Sequence, residues 1–351
     1  MTIKTFKNFC ILSLDKEPGG ISSMIESSAE ALALHCKTLN IFLPCSILAN
    51  KNYTKSFLNI KNLHTNKIKY FHRKLLKIGF LSMSLRNKLE KANIVYVHNS
   101  NLLKVLRKYF PDKKIILFFH TDKIRQFKEM KYADKVLTVN QAMKNKINSL
   151  YSNKALYLPN TLYSKKEYKP LKYYHRNFNK KSNFVIGAMG RLVKKKGFEF
   201  LIKTCKEIDN LELVIAGDGN ELNNLKKISY NYKNIKLIGW VKNKDTFFKN
   251  IDVFCSSSFI EPFGLVIIEA MARGIPVIST KCNGPLDIIK NNKNGMLIEI
   301  NNKLELKNAI IKFKDNKVLR KKIGLSGYNT YKEKFTFSEY KKNINSLLKQ
   351  I

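Results

Sequence analysis

Two glutamates, Glu261 and Glu269, stand in SSSFIEPFGLVIIEAMARG at residues 256–274. Pro262 and Gly264 punctuate a loop, and the apolar period after it predicts a helix over 264–273. The first backbone N–H groups of such a helix, at Gly264 and Leu265, have no intrahelical acceptor and suit an anion, aided by the helix dipole. Glu269 is four residues past Leu265 and shares its helix face. Carboxylates repel phosphate, so the two acids suit hydroxyls, as of a ribose beside a diphosphate. The plainer alternative is an ordinary strand–loop–helix with two solvated or capping acids.

A second group lies in GAMGRLVKKKG, residues 187–197, between an apolar strand and a helix start. Arg191 offers a planar fork and Lys196 a point charge, both fitted to a diphosphate. A solvated basic loop is the alternative, stronger for Lys194 and Lys195 than for Arg191 and Lys196, which each adjoin a turn glycine. Pro18-Gly19-Gly20 follows the first strand, where glycine lets backbone approach a ligand. His98 and His120 each end an apolar strand. His120 is read as facing a site, and His98 as a satisfied core histidine. The chain has no D-x-D pair, the carboxylates that often hold a nucleotide diphosphate through a divalent metal.

Positioning these groups requires two sheets. Strand-like runs in the first half are FCILSL, LNIFLP, NIVYVH, KIILFF, DKVLTV and ALYLP. In the second half they are NFVIGAMG, LELVIAG, IKLIGW, DVFCSS, PVIST and GMLIEI. Helical periods fill the gaps, at 22–37, 141–150, 197–208, 220–230, 286–291 and 303–314. Near-continuous apolar strands alternating with helices predict parallel sheets covered on both faces. Residues 160–182 lack a period and divide two doubly wound α/β domains, 1–165 and 166–330, facing across a cleft. An amphipathic helix at 337–351 closes the chain.

The 351 residues include 65 Lys+Arg and 26 Asp+Glu, a formal net charge of +39, with 44% hydrophobic residues. That apolar share excludes a disordered chain. The 15 Gly and 8 Pro are too few for a fibrous one. No apolar run approaches the roughly 20 residues of a membrane span. The basic, apolar N-terminus runs into a turn with no cleavage-site pattern and is read as a first strand. Six cysteines without C-x-x-C or zinc spacing fit reduced, mostly buried thiols in a cytosolic protein. Part of the charge is compositional drift towards Lys and Asn. Residues 51–91, however, combine eleven Lys/Arg and one acid, Glu90, with many large apolar residues. Leu75, Ile78, Leu85 and Leu89 recur there at helical spacing. Either this is a domain helix buried on one side, or it docks on an anionic membrane.

Taken together, these segments resemble the retaining glycosyltransferases of the GT-B fold that carry the E-x7-E motif. EPFGLVIIEAMARGIPVIST, GRLVKKKG, VIAGDGNE, LIGWV, NGPLDII and NGMLI carry the likeness over about 184–300. PGG, FFHTD, ADKVLTVN and LPNT extend it more weakly towards the N-terminus. The resemblance implies that Arg191 and Lys196 bind the donor diphosphate, with the backbone of Gly264 and Leu265. It makes Glu269 the ribose acid, places Glu261 at the sugar hydroxyls, and lets Gly20 close on the phosphates. His120 would stand beside the donor sugar and the reaction centre. Trp240 and Val241 would border the base. The C-terminal helix, about 331–351, would return to the N-terminal domain. Asp287, where the family usually has Glu, and Pro285, where it often has Gly, depart from the pattern on the sugar side.

The implied reaction moves a sugar from a UDP- or GDP-sugar to a glycolipid or cell-surface polysaccharide precursor, with retention, no essential metal and no cofactor. Its place would be the cytoplasm, peripheral to the inner membrane face. Two other classes stand beside it. One is a sugar-nucleotide binder without transferase activity, or a GT-B enzyme of other chemistry. The second is a nucleic-acid-binding protein, suggested by the charge but lacking any zinc finger, RNP-like run or helix-turn-helix, so no specific nucleic acid is expected.

Overall fold

The computed structural model describes residues 6–15, 19–50, 57–163, 168–171 and 184–350. Most of the 160–182 divider, Pro18 and residues 51–56 lie outside the described residues. The chain forms two units, Met1–Tyr163 with Thr336–Ile351, and Ser164–Phe335. The returning segment thus begins at Thr336, five residues later than the sequence reading put it.

The first unit holds seven parallel strands: β1 (Phe6–Leu12), β2 (Cys36–Pro44), β3 (Leu63–Ile68), β4 (Ile94–Val97), β5 (Lys114–Phe119), β6 (Lys135–Thr138) and β7 (Ala155–Tyr157), in the order β3-β2-β1-β4-β5-β6-β7. The apolar residues of β2, β4, β5 and β6 are buried on both faces, as continuous apolar runs require. β3 was not foreseen. LHTNKI is an edge strand with mostly exposed or half-exposed side chains, so it lacks the apolar signature of its neighbours. Helix Phe337–Leu348 lies on helix Gly20–Ala33, where Ser28 and Tyr340 hydroxyls meet at 2.9 Å.

The second unit holds β8 (Phe184–Met189), β9 (Leu211–Ala216), β10 (Ile235–Leu237), β11 (Val253–Ser256), β12 (Val277–Thr280) and β13 (Met296–Ile298), ordered β10-β9-β8-β11-β12-β13 and all parallel. In each sheet the order reverses beside the first strand, between β1 and β4 and between β8 and β11. Ligands of such sheets bind beyond the carboxyl ends at that reversal.

Three expectations needed correction. The apolar stretch in 70–91 is two helices, Tyr70–Lys77 and Met83–Glu90, joined through Gly79 at φ 87°. Leu85 and Leu89 are core, whereas Ile78 is exposed. The helix placed at 286–291 is Asn283–Ile288, and Leu286 is exposed. Helix Lys317–Lys334 was missed because its buried face mixes Ile323 and Tyr331 with Arg320, Gly324 and Gly327 and so shows no continuous apolar stripe. A Cβ at Gly324 would stand 2.2 Å from the Gly274 carbonyl oxygen.

Candidate functional site

In the second unit the loops after β8 and β11 are knitted together. Gly197, at φ 66°, lies under the Ser257 carbonyl, where a Cβ would approach its oxygen to 2.0 Å. The Ser257 hydroxyl donates to the carbonyls of Lys196 and Gly197 at 3.1 and 3.0 Å. The Phe259 N–H donates to the Lys195 carbonyl at 2.8 Å. The β9 loop braces the same turn: Leu192 N–H donates to the Asp218 carbonyl, and Glu221 N–H to the Leu192 carbonyl. Several segments singled out in the sequence therefore form one structure at the sheet reversal.

Lys196 and Glu261 meet there as a largely buried ion pair. Sequence reasoning gave them separate tasks and did not foresee the contact. Its physical effect is to neutralise a carboxylate that would otherwise repel a diphosphate. Removing one member of such a pair leaves an uncompensated charge, at roughly 3–5 kcal/mol. Gly264 N-caps helix Leu265–Met271 at φ 106°, with Glu261 Cγ 3.6 Å from the position of its missing Cβ. The Gly284 N–H donates to the Glu261 carbonyl at 3.0 Å, which ties NGPLDII to this loop. Arg191 is exposed and has no ion pair among the described residues.

Glu269 is 9% exposed. Lys244 Nζ donates to its Oε1 at 2.6 Å, while Oε2 is buried with no partner among the described residues. Arg273 Nη1 donates to the Glu269 carbonyl, and its Nε to Asp245. Lys244 escaped the sequence reading because one lysine in a Lys-rich chain has no distinguishing spacing. Asn243 caps its helix through Asp245 and Thr246 N–H groups, a signal that could have located it. Val241 lines a groove of about 440 Å³ with Ile238, Asn243 and Phe247. Trp240 is not part of that lining and is 72% exposed.

In the first unit, Gly20 opens helix Gly20–Ala33 after the β1 carboxyl end. Ser22 Oγ and the Gly19 backbone exchange two hydrogen bonds there, at 2.6 and 2.8 Å. His98 and His120 end β4 and β5, with rings stacked at 5.1 Å and His98 Nδ1 2.8 Å from His120 Nε2. Burial holds His98 well below its ordinary value and pushes His120 down to about 3, so both are neutral at pH 7. His98 Nε2 is buried without a partner among the described residues. An orphaned buried N–H is rarer in proteins than an under-used acceptor. The contact needs one proton between the two nitrogens: on His98 Nδ1 it leaves His120 protonated on Nδ1, and on His120 Nε2 it leaves His98 protonated on Nε2, with no acceptor among the described residues. His98 is buried as expected, but its tautomer is also coupled to that of His120.

Two doubly wound parallel sheets, with the described loops at the carboxyl ends of their central strands, define a GT-B protein. Residues 173–330 match the family described as Glycosyl transferases group 1. It is 31% identical over 250 residues to the capsular polysaccharide biosynthesis glycosyltransferase CapM of Staphylococcus aureus, covering 68% of this chain and 65% of that one. It is 34% identical over 173 residues to the UDP-Gal:alpha-D-GlcNAc-diphosphoundecaprenol alpha-1,3-galactosyltransferase of Escherichia coli, covering 44% of each. The chain thus spans less than two thirds of either relative. Anabaena HepE, solved with UDP and glucose, has the same fold at TM-score 0.82 and 17% identity, covering 98% of this chain and 100% of HepE.

Proposed function

We propose that this chain is a retaining glycosyltransferase that moves a sugar from a UDP- or GDP-sugar to a glycolipid or cell-surface polysaccharide precursor at the inner face of the cytoplasmic membrane. The observation that carries the reading is Glu269, buried beside the sheet reversal, with one oxygen held by Lys244 and the other without a partner among the described residues. A buried carboxylate oxygen needs a hydrogen-bond donor, and a ribose hydroxyl supplies one. The names of the two relatives, one acting in capsule synthesis and one on a lipid-linked sugar, support the acceptor class.

On this reading Arg191 and Lys196 hold the diphosphate, assisted by the Gly264 and Leu265 backbone. As the sugar–phosphate bond breaks, negative charge grows on the β-phosphate, and these fixed cations stabilise it with little reorganisation. Glu261, neutralised by Lys196, accepts from sugar hydroxyls without repelling the phosphates. His120 donates Nδ1–H to the donor sugar, and Gly20 lets backbone approach the phosphates. Val241 and Trp240 border the base. The acceptor attacks the face from which the nucleotide leaves, and the departing phosphate takes its proton. The reaction asks for no resident metal or cofactor, since lysine and arginine supply the positive charge.

Calorimetry with UDP and GDP, in EDTA, tests the reading. Micromolar binding of one nucleotide is expected, weakened about tenfold or more in Glu269→Ala, the scale set by losing hydrogen bonds to a charged group. A folded wild type that binds neither nucleotide would overturn it. Binding without sugar transfer to any lipid-linked acceptor would favour a sugar-nucleotide binder instead.

A further inference from the structure

Helix Tyr70–Lys77 and the turn that follows it carry a group of large apolar side chains that the fold leaves uncovered. Leu76, Leu81, Leu85 and Leu89 point inward and are buried in the core of the first unit. Phe71, Leu75 and Ile78, spaced four and three residues apart, share the opposite side of the helix. Phe71 and Ile78 are exposed, and Leu75 is half-buried. Phe80 in the connecting turn and Met83 at the start of the next helix add two more exposed apolar groups. Exposed apolar residues scattered singly are normal, but four within thirteen positions are a patch.

The patch is ringed by cations. Lys74 Nζ sits 4.9 Å from the centre of the Tyr70 ring, and Lys108 Nζ 5.2 Å from that of Phe80. Lys69 and Arg86 are exposed nearby in sequence, and Glu90 is the sole acid from residue 51 to 91. A protein partner or a second copy of this chain would have to bring several acids to match. A lipid surface supplies both halves at once: anionic headgroups for the lysines, and acyl chains for Phe71 and Ile78. Bare phosphate backbone would leave the apolar groups uncovered.

We propose that this face is the membrane-docking surface of the protein, with Phe71, Ile78, Phe80 and Met83 entering the headgroup–acyl boundary of an anionic leaflet while Lys69, Lys74, Arg86 and Lys108 meet its headgroups. It deepens the membrane part of the function proposed above. It is tested without any sugar donor, so its failure leaves the donor-site reading standing.

The chain has one tryptophan, Trp240, so Trp240→Phe with Phe71→Trp gives a single reporter on the patch. The probes are phosphatidylcholine vesicles with and without about a third phosphatidylglycerol. Expected are a blue-shifted emission on the anionic vesicles alone, and quenching by lipids brominated in the acyl chain. In co-sedimentation, Phe71→Ser with Ile78→Ser should weaken binding about tenfold or more. An equally apolar-to-polar control in the other unit, Tyr230→Ser with Leu325→Ser, both exposed, should not. Binding that depends on salt but is unchanged by the Phe71/Ile78 pair, with an unquenched reporter, overturns the proposal in favour of charge alone. A dimer in sedimentation velocity that the same pair abolishes would overturn it in favour of self-association.

Discussion

The contact between His98 Nδ1 and His120 Nε2 decides which hydrogen-bonding group His120 can present. Long-range proton–nitrogen NMR should find both imidazoles protonated on Nδ1 at pH 7. A His98→Phe variant, which removes the donor, should release His120 into a mixture of tautomers while leaving nucleotide affinity within about twofold. The same pair makes stability pH-dependent. The folded state lowers both pKa values from an ordinary 6.5, His120 to about 3. Unfolded chains therefore bind more protons below about pH 6.5, and stability falls from there towards pH 3, at up to about 1.4 kcal/mol per pH unit for each histidine. Thermal unfolding between pH 7 and 5 should show a shallower slope in His120→Asn. In the sequence His120 was legible as a strand-end histidine. His98 was legible only as core, because nothing in IVYVHNS reveals what lies across the sheet.

At the scale of elements, the glycine that ends GRLVKKKG holds two loops in register. Gly197 has φ 66° and no room for a Cβ beneath the Ser257 carbonyl. Gly197→Ala should destabilise by about 2 kcal/mol or more, through backbone strain plus the displaced carbonyl, and weaken nucleotide binding. Differential scanning fluorimetry with and without nucleotide would show both effects. Twelve strands declared themselves as apolar runs because a strand covered on both faces is apolar throughout. β3, a polar edge strand, did not, and helix Lys317–Lys334 did not because two of its few buried positions are glycines and one is Arg320. The ion pairs Lys196–Glu261 and Lys244–Glu269 join residues from separate elements. No spacing along the chain encodes them.

At the scale of the whole molecule, the chain leaves its first unit at Tyr163 and returns to it from Thr336. The returning helix buries Phe337, Tyr340 and Ile344, and Tyr340 shares a buried hydrogen bond with Ser28. Tyr340→Phe removes one partner and leaves the other hydroxyl buried, which should cost about 1–2 kcal/mol in urea denaturation. Among the described residues no helix is long and apolar enough to cross a membrane. The excess charge is +39 over the chain, and around Phe71–Met83 it coincides with an exposed apolar patch.

Strand identity, the two-sheet architecture and the family resemblance were determined by local sequence. Apolar runs, turn glycines and the ordered motifs are short-range properties that each segment carries by itself. Which lysine neutralises which glutamate, which histidine orients which, and which half of an amphipathic stretch meets water were decided only by the tertiary structure. Each of these is a relation between atoms far apart in the chain, and burial and pairing arise only once the sheets have brought those atoms together.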